Sequence, residues 1–505
     1  MINNNFLISK ASKPIIVSTA LLALTYFISI AFFFPKGNPF VFALLAITQA
    51  FYLWMTLSFS FSIWKTETPV PLFNKRFARS VDVFITVAGE PLDIVRETVQ
   101  AAKKMSYLNF KVYILNDGYV AKKDNWKEII EMAKQEGVSC ITRTKPGGAK
   151  AGNINHALSL TKAAYVVIFD ADHVPHKDFL KKTMGYFEDP KMGFVQTPQY
   201  YKNFNRNDIT KGAWEQQELF FGAICKGKNA SNAAFMCGTN MVLNRAALTA
   251  AGGMNEENIT EDFATSMKIH SLGWKSYYHG EVLAEGLAPE DFLSYYKQQL
   301  RWSRGSLEVL VQNNPLFVKG LSLRQKLQYI ASASYYLSGI MVLINALLPL
   351  IFFFTGLAPL HVSTMTLATV FIIYMFLSIY TLSLSTNFSY TYTAVSFSLS
   401  SFAIFTRALF STITRGKQNF SITSKTAIEG NFLNLVIPNI LYIGVTIIGV
   451  VFAISRWGLT DGVVTNICWA LFHCITFSVF IFAAMPKGFQ QFNRIKKINL
   501  RTIKS

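Results

Sequence analysis

Four short polar motifs hold the side chains that could do chemistry: Asn116-Asp117-Gly118, Asp170-Ala171-Asp172, Thr260-Glu261-Asp262 and Gln298-Gln299-Leu300-Arg301-Trp302. Asp170 and Asp172 supply hard oxygen donors, which suit Mg2+ or Mn2+ held together with a diphosphate. Residues i and i+2 of an extended segment point to one side, so both carboxylates are expected to face one ligand. Asp262, with Glu261 beside it, can act as a general base if it has reach and a tuned pKa. Arg301 offers a planar fork for a diphosphate, and Trp302 a ring on which a sugar can stack. Lys150 stands at an expected helix start, where phosphate is attracted. Asp117 lies beside Gly118, which can turn tightly, so its carboxylate can accept hydrogen bonds from a base or ribose. Each motif also has an ordinary reading: an acidic turn, an Asx turn, a solvated lysine, or a helix start with Thr260 as N-cap. Their occurrence together favours the chemical one. His270 reads as a surface helix residue, and Lys297 and Arg304 as solvated or lipid-facing.

The elements that must position these groups alternate. Residues 81–87, 110–115, 138–142 and 164–169 carry strand signals, and helical patterns at 91–105, 126–135 and 152–161 separate them. That βαβα order predicts a mostly parallel sheet covered by helices. Ligands bind such sheets at the carboxyl ends of strands, where Asp117 and Asp170 fall. The sequence has no internal repeat and no low-complexity linker.

Of the 505 residues, 51% are hydrophobic, 15% are charged and 44 are Phe. With a mean hydropathy of +0.29 this is a membrane protein by composition. Candidate spans of about 20 residues fall at 15–34, 41–64, 330–354, 362–384, 392–413, 433–455 and 463–485. The first is too long, and lacks the small-residue cleavage site, for a signal peptide. Lys65, Lys75, Arg76 and Arg79 follow the second span, and a basic tail follows the last. Both the middle region and the tail are therefore expected inside the cell. That parity leaves six spans, with 392–413, rich in Ser and Thr and holding Arg407, as an interfacial helix. Residues 313–328 are a second interfacial candidate. The net charge of +19 comes without a nucleic-acid recognition motif, so no nucleic-acid partner is expected. Anionic lipid and an anionic nucleotide are the expected partners. The five cysteines have no metal or disulfide spacing and read as free thiols.

In this order the motifs resemble those of the processive family 2 glycosyltransferases, the cellulose, curdlan, hyaluronan and chitin synthases. VDVFITVAGEP, KAGNIN, FDADHVP, VQTP, FMCGT, GLAPE and QQLRWSRG are similar to the cellulose synthase catalytic subunit, and FSITSK at 420–425 resembles its gating loop. The resemblance implies an α/β, Rossmann-like GT-A domain on the cytosolic face, inserted in an α-helical transmembrane region of the plasma membrane. Residues 1–79 would form the first membrane region with two helices, and 80–312 the catalytic domain. Residues 313–505 would hold interfacial helices, a gating-like loop (415–430), four transmembrane helices and a cytosolic tail, leaving both termini cytosolic.

The resemblance also implies roles. Glu90, Asp117, Lys150, Asp170, Gln298 and Arg301 would bind the nucleotide, Asp172 and Asp170 the metal. Asp262 would deprotonate the acceptor with Glu261 adjacent, and Trp302, Cys237, Gly238 and Thr239 would form the acceptor site. Phe420, Ile422, Thr423 and Lys425 would close over the nucleotide. The implied donor is a nucleotide sugar, UDP-glucose, and the product a growing polysaccharide; an accessory export subunit is a candidate partner. Ala88 and Gly89 depart from the family's aromatic-Asn pair before Glu-Pro, Met236 and Thr239 depart from FFCGS, and Gln199 replaces a His after VQTP. No PilZ domain follows the last span, so control by cyclic-di-GMP is not expected within this chain. The rival readings are a single-transfer enzyme acting on a lipid carrier and a transporter with a vestigial nucleotide-binding domain.

Overall fold

The structure is a computed structural model and describes residues 10–66, 79–415 and 427–486. Phe420, Ile422, Thr423 and Lys425, expected in the gating-like loop, lie outside the described residues, as does the basic tail from 487.

The middle of the chain folds around a seven-stranded sheet. Its strands are β1 (Val81–Val87), β2 (Phe110–Asn116), β3 (Ser139–Thr142), β4 (Tyr165–Asp170), β6 (Met192–Gln196), β8 (Met241–Asn244) and β9 (Lys275–Tyr278). The spatial order is β3-β2-β1-β4-β8-β6-β9, with β8 antiparallel to both neighbours and the other pairings parallel. A small second sheet orders β5 (Val174–Pro175), β10 (Ala284–Gly286) and β7 (Tyr200–Tyr201) as β5-β10-β7.

Every residue of β1 is buried, as expected for a strand covered on both faces. Val81, Val83, Ile85 and Val87 pack into one core and Phe84 into the other. Asp82 is tolerated there because Arg245 Nη2 donates to it at 2.8 Å and the Ala163 amide at 3.0 Å. The four strands expected from sequence all form, within one residue of the expected bounds.

Among the described residues, seven helical segments are long and apolar enough to cross a membrane. They are Lys13–Phe33, Pro39–Ile63, Leu323–Thr355, Thr364–Ser385, Tyr392–Ile413, Leu433–Trp457 and Asp461–Ala484. Tyr392–Ile413, expected at the interface, differs from the rest: it breaks at Ser401 into Tyr392–Ser400 and Phe402–Ile413, and 56% of its most apolar window is buried inside the protein. Its Phe397, Ile404, Phe405 and Ala408 share a core with Phe292, Tyr295, Tyr296 and Leu300 of the catalytic domain. That contact supplies the apolar partner that its sequence demands.

Two further contacts join the parts. The turn at 35–38 is clasped to 358–361, with the Gly37 amide donating to Pro359 O at 3.0 Å and the His361 amide to Pro35 O at 2.8 Å. At the other end, helix Pro39–Ile63 rests on Gly227, where an added Cβ would fall 1.4 Å from Ser62 O.

Candidate active site

The acidic motifs converge at the carboxyl ends of β1, β2 and β4. The strand containing Asp170 ends at that residue, and Ala171 and Asp172 lie in a turn. The two carboxylates therefore do not converge by strand alternation. The turn, closed by the His173 amide on Asp170 O at 3.1 Å, brings them together instead. Asp170, Asp172 and His173 each offer a ligand atom within 4.8 Å of the others. The Leu287 amide, just after β10, donates to Asp172 Oδ2 at 3.1 Å. Thr86 Oγ1 donates to Asp170 Oδ1 at 3.3 Å.

Lys150 lies in the first turn of helix Ala149–Leu160, after Gly148 in a left-handed conformation. Its ammonium bonds Asp170 Oδ1 and donates to Gly238 O at 2.8 Å. Burial works to lower its pKa, but Asp170, Glu261 and Asp262 around it prevail and hold it above the usual lysine value. A Cβ built on Gly238 would lie 3.2 Å from Asp262 Oδ2 and 3.7 Å from Lys150 Nζ. Glycine, at φ +85°, thus lets the expected base and the cation approach one backbone segment from two sides.

Asp262 opens helix Glu261–Ser271. Burial, then the Glu261 charge beside it, raises its pKa to about 7, against the Phe263 amide that donates to Oδ1 at 2.7 Å. Burial likewise raises Glu261, partly offset by Lys150 and Arg301. Thr260 stands at the N-cap position but does not cap: its hydroxyl donates to Asn258 Oδ1 at 2.9 Å. Its methyl instead packs on Gly305, where an added Cβ would come within 2.4 Å. Gly305, one turn beyond Trp302 on helix Phe292–Gln312, thereby sets the base motif against the helix of Gln298, Arg301 and Trp302. Asp291 caps that helix, accepting from the Ser294 amide at 2.8 Å.

Asp117 is nearly buried and takes both arms of Arg143, at 2.6 Å from Nε and 2.9 Å from Nη2. Arg143 continues to Gly147 O and Ala149 O. The pair thus fixes the loop that leads to Lys150 and leaves each Asp117 oxygen a further lone pair. Glu90 turns back on its own loop, accepting from the Ala88 amide at 2.6 Å. Gln298 lies beside the buried Tyr201, whose phenol is held above its usual pKa by burial first and the Asp172 charge second.

A cavity of about 470 Å³ begins at Cys237, Asp262 and Trp302 and continues between membrane helices to Ser62, Ser378 and Thr381. The Cys237 amide is held by Gln196 Oε1 at 2.8 Å. Thr239, expected at the acceptor, is fully buried behind β4, where its hydroxyl accepts from the Asp170 amide at 2.9 Å. Two other expectations are corrected. Arg304 is buried and paired with Glu308 at 2.9 Å, because its helix face turns inward. His270 is buried between Tyr329 Oη at 2.7 Å and Ser276 Oγ at 2.8 Å, and burial depresses its pKa to about 3. All five cysteines are free.

Arg143, Gln196, Tyr201 and Leu287 escaped the sequence reading. VQTP and GLAPE marked two of them, Gln196 and Leu287, as parts of shared motifs, but nothing in those letters says that they brace Cys237 and Asp172. Carboxylate oxygens with one imidazole nitrogen fit a hard or borderline divalent cation, so Asp170, Asp172 and His173 fit the metal implied by the resemblance.

A mixed sheet with acidic turns at its strand ends, joined to a helical membrane region, defines a GT-A glycosyltransferase built into a multi-pass membrane protein. Residues 78–305 match the family described as "Glycosyltransferase like family 2", and residues 250–489 match "Cellulose synthase". The chain belongs among the cellulose synthase-like family 2 glycosyltransferases. It is 31% identical over 422 residues to the "Cellulose synthase catalytic subunit [UDP-forming]" of Pseudomonas fluorescens (strain SBW25), an alignment covering 80% of this chain and 56% of that one. The protein of the same description from Xanthomonas axonopodis pv. citri (strain 306) is 38% identical over 280 residues, 54% of this chain and 38% of that one. The chain thus spans about half or less of the length of these relatives. Among solved structures, the mannosyltransferase PcManGT from Pyrobaculum calidifontis, in complex with GDP-Man and Mn2+, shares the fold at a TM-score of 0.54 and 16% identity, covering 75% of this chain and all of that one.

Proposed function

We propose that the protein polymerises a glucan from UDP-glucose by inverting transfer and passes the product between its own membrane helices. The observation that carries this reading is the shared cavity: Asp262 and Trp302 line the same space as Ser378 and Thr381 of a membrane helix. The catalytic domain then faces the cytosol, and an accessory subunit would continue the path beyond the outer face.

The terminal sugar of the growing chain stacks on Trp302 and presents its hydroxyl to Asp262. Asp262 takes the hydroxyl proton as the oxygen attacks the donor's anomeric carbon from the side opposite the nucleotide. The new C–O bond forms as the sugar–phosphate bond breaks, and UDP leaves with that electron pair. Arg301 and Lys150 supply positive charge beside the diphosphate. Asp117, anchored on Arg143, and Glu90 orient the nucleoside. Bound at Asp170 and Asp172, Mg2+ or Mn2+ would neutralise charge on the diphosphate.

Purified protein in lipid is incubated with labelled UDP-glucose, and the product is sized and digested with linkage-specific glycosidases. A long polymer cut by a β-glucanase is expected. Transfer of a single sugar to lipid would overturn processivity, and polymer formed only from another nucleotide sugar would overturn the donor.

A further inference from the structure

The amide side chains around the cavity that opens at Asp262 and Trp302 are of two kinds. Gln196 and Gln216 are engaged by the protein itself. Gln196 Oε1 accepts from the Cys237 amide at 2.8 Å and its Nε2 donates to Thr239 O at 2.8 Å. Gln216 Nε2 donates to Ser398 Oγ at 3.1 Å, and its Oε1 accepts from Tyr295 Oη at 2.9 Å. Gln217 and Gln299 differ. Both line the cavity, and they are only 9% and 7% exposed. Gln217 Oε1 is buried without a hydrogen-bond partner, and the Gln299 amide has none among the described residues. Buried polar groups are as a rule paired, so open amides on a cavity wall point to a ligand.

Their placement says which part of the ligand they meet. Gln299 stands three residues before Trp302 on helix Phe292–Gln312, so the two share a face. Gln217 belongs to helix Asp208–Leu219. The bond from Tyr295 to Gln216 ties the two helices together, and Tyr295 lies one turn before Gln299.

We propose that Gln217 and Gln299 grip the sugar behind the terminal one and so determine the linkage: they turn the terminal ring until one of its hydroxyls faces Asp262. The inference rests on the reading of Trp302 as the platform for the terminal sugar. An amide offers N–H donors and a carbonyl acceptor without charge, which suits the hydroxyls of a neutral sugar. Cellobiose and laminaribiose, two glucose disaccharides that differ only in linkage, carry their second ring in different poses once the first is stacked on Trp302. Amides held in place satisfy the hydroxyls of one and are left unpaired by the other. A site built to hydrogen-bond hydroxyls discriminates more sharply than an apolar one.

The test gives the full chain in detergent UDP-glucose with glucose, cellobiose or laminaribiose as acceptor, and measures KM for each. The wild type should favour one disaccharide by about tenfold or more, and that one should carry the linkage of the polymer made without added acceptor. Gln217→Met and Gln299→Met fill similar space without the hydrogen bonds. Each should shrink the preference about three- to tenfold, with the KM for glucose, which has no second ring, little changed. Methylation analysis of the polymer made by the double variant should show a second linkage that the wild-type polymer lacks; this arm needs no added acceptor. Equal use of the two disaccharides by the wild type, variants that shift all three acceptors alike, or a double variant whose polymer keeps a single linkage overturns the assignment while leaving polymerisation in place. Absence of any glucosyl transfer from UDP-glucose by the wild type overturns the proposed function and this inference with it.

Discussion

The donor end and the membrane cavity meet at Asp262 but are built on opposite rules. At the donor end charged groups are dense and cross-tied. Asp117 is locked by Arg143, Arg143 by two carbonyls, Lys150 by Asp170 and Gly238 O, and Asp172 by the Leu287 amide. Along the cavity the wall is aromatic and hydroxylic, with Phe220, Phe235, Tyr335, Tyr336 and Thr381. Its charged lining residues are Asp262 and Lys228, and the Lys228 ammonium is already bound to Gln328 Oε1 at 2.9 Å and Ser332 Oγ at 2.8 Å. A diphosphate needs fixed, directional partners. On the proposed function a neutral polymer advances along this wall, and many weak contacts, none of which holds one sugar in place, suit that better.

Breaking the junction should have the largest effect. Asp262→Asn keeps the shape but loses the base, so turnover should fall by about 10²–10⁴-fold while UDP affinity, read by calorimetry, stays near wild type. Full turnover in this variant would remove the assignment. A milder version uses pH alone. As the proposed base Asp262 must be deprotonated, and its pKa is raised to about 7 by burial and Glu261. Turnover should therefore climb as pH rises towards 7 and fall about tenfold per unit well below it; a profile flat from pH 5 to 8 would contradict this.

Loosening the donor end should cost stability. Arg143→Met strands the buried Asp117 carboxylate, for a loss of about 3–5 kcal/mol, read as a lower unfolding temperature of the catalytic domain. The smallest effect belongs to the cavity mouth. Trp302→Ala removes one stacking face worth about 0.5–1.5 kcal/mol. The KM for an added oligosaccharide acceptor should rise by up to about tenfold, with UDP affinity unchanged. A larger loss for Trp302→Ala than for Asp262→Asn would reverse the contrast.

The sequence disclosed much of the donor end because its chemistry is local. Strand β4 runs straight into Asp170, and a carboxylate at a strand tip is visible as letters. What it hid is what reaches across the chain. Arg143 lies 26 positions from its partner Asp117, and the Leu287 amide lies 115 positions from Asp172. No spacing rule links them. His270 and Arg304 were misjudged for a related reason: a polar residue on a helix looks solvated until the element that covers it is known. Residues 392–413 were read as interfacial from Ser, Thr and Arg407 alone; the helix they pack against, Phe292–Gln312, lies about a hundred positions earlier and could not be read from them.

The seat of helix Pro39–Ile63 on Gly227 bears on how the molecule is made. That helix leaves the ribosome well before Gly227 is synthesised, so it must wait in the bilayer for its seat. The contact leaves no room for even a methyl group, so it closes only after the nascent catalytic domain has folded. Assembly of the two regions thus has an order: the second membrane helix takes its seat last, and any side chain at position 227 would keep it from doing so.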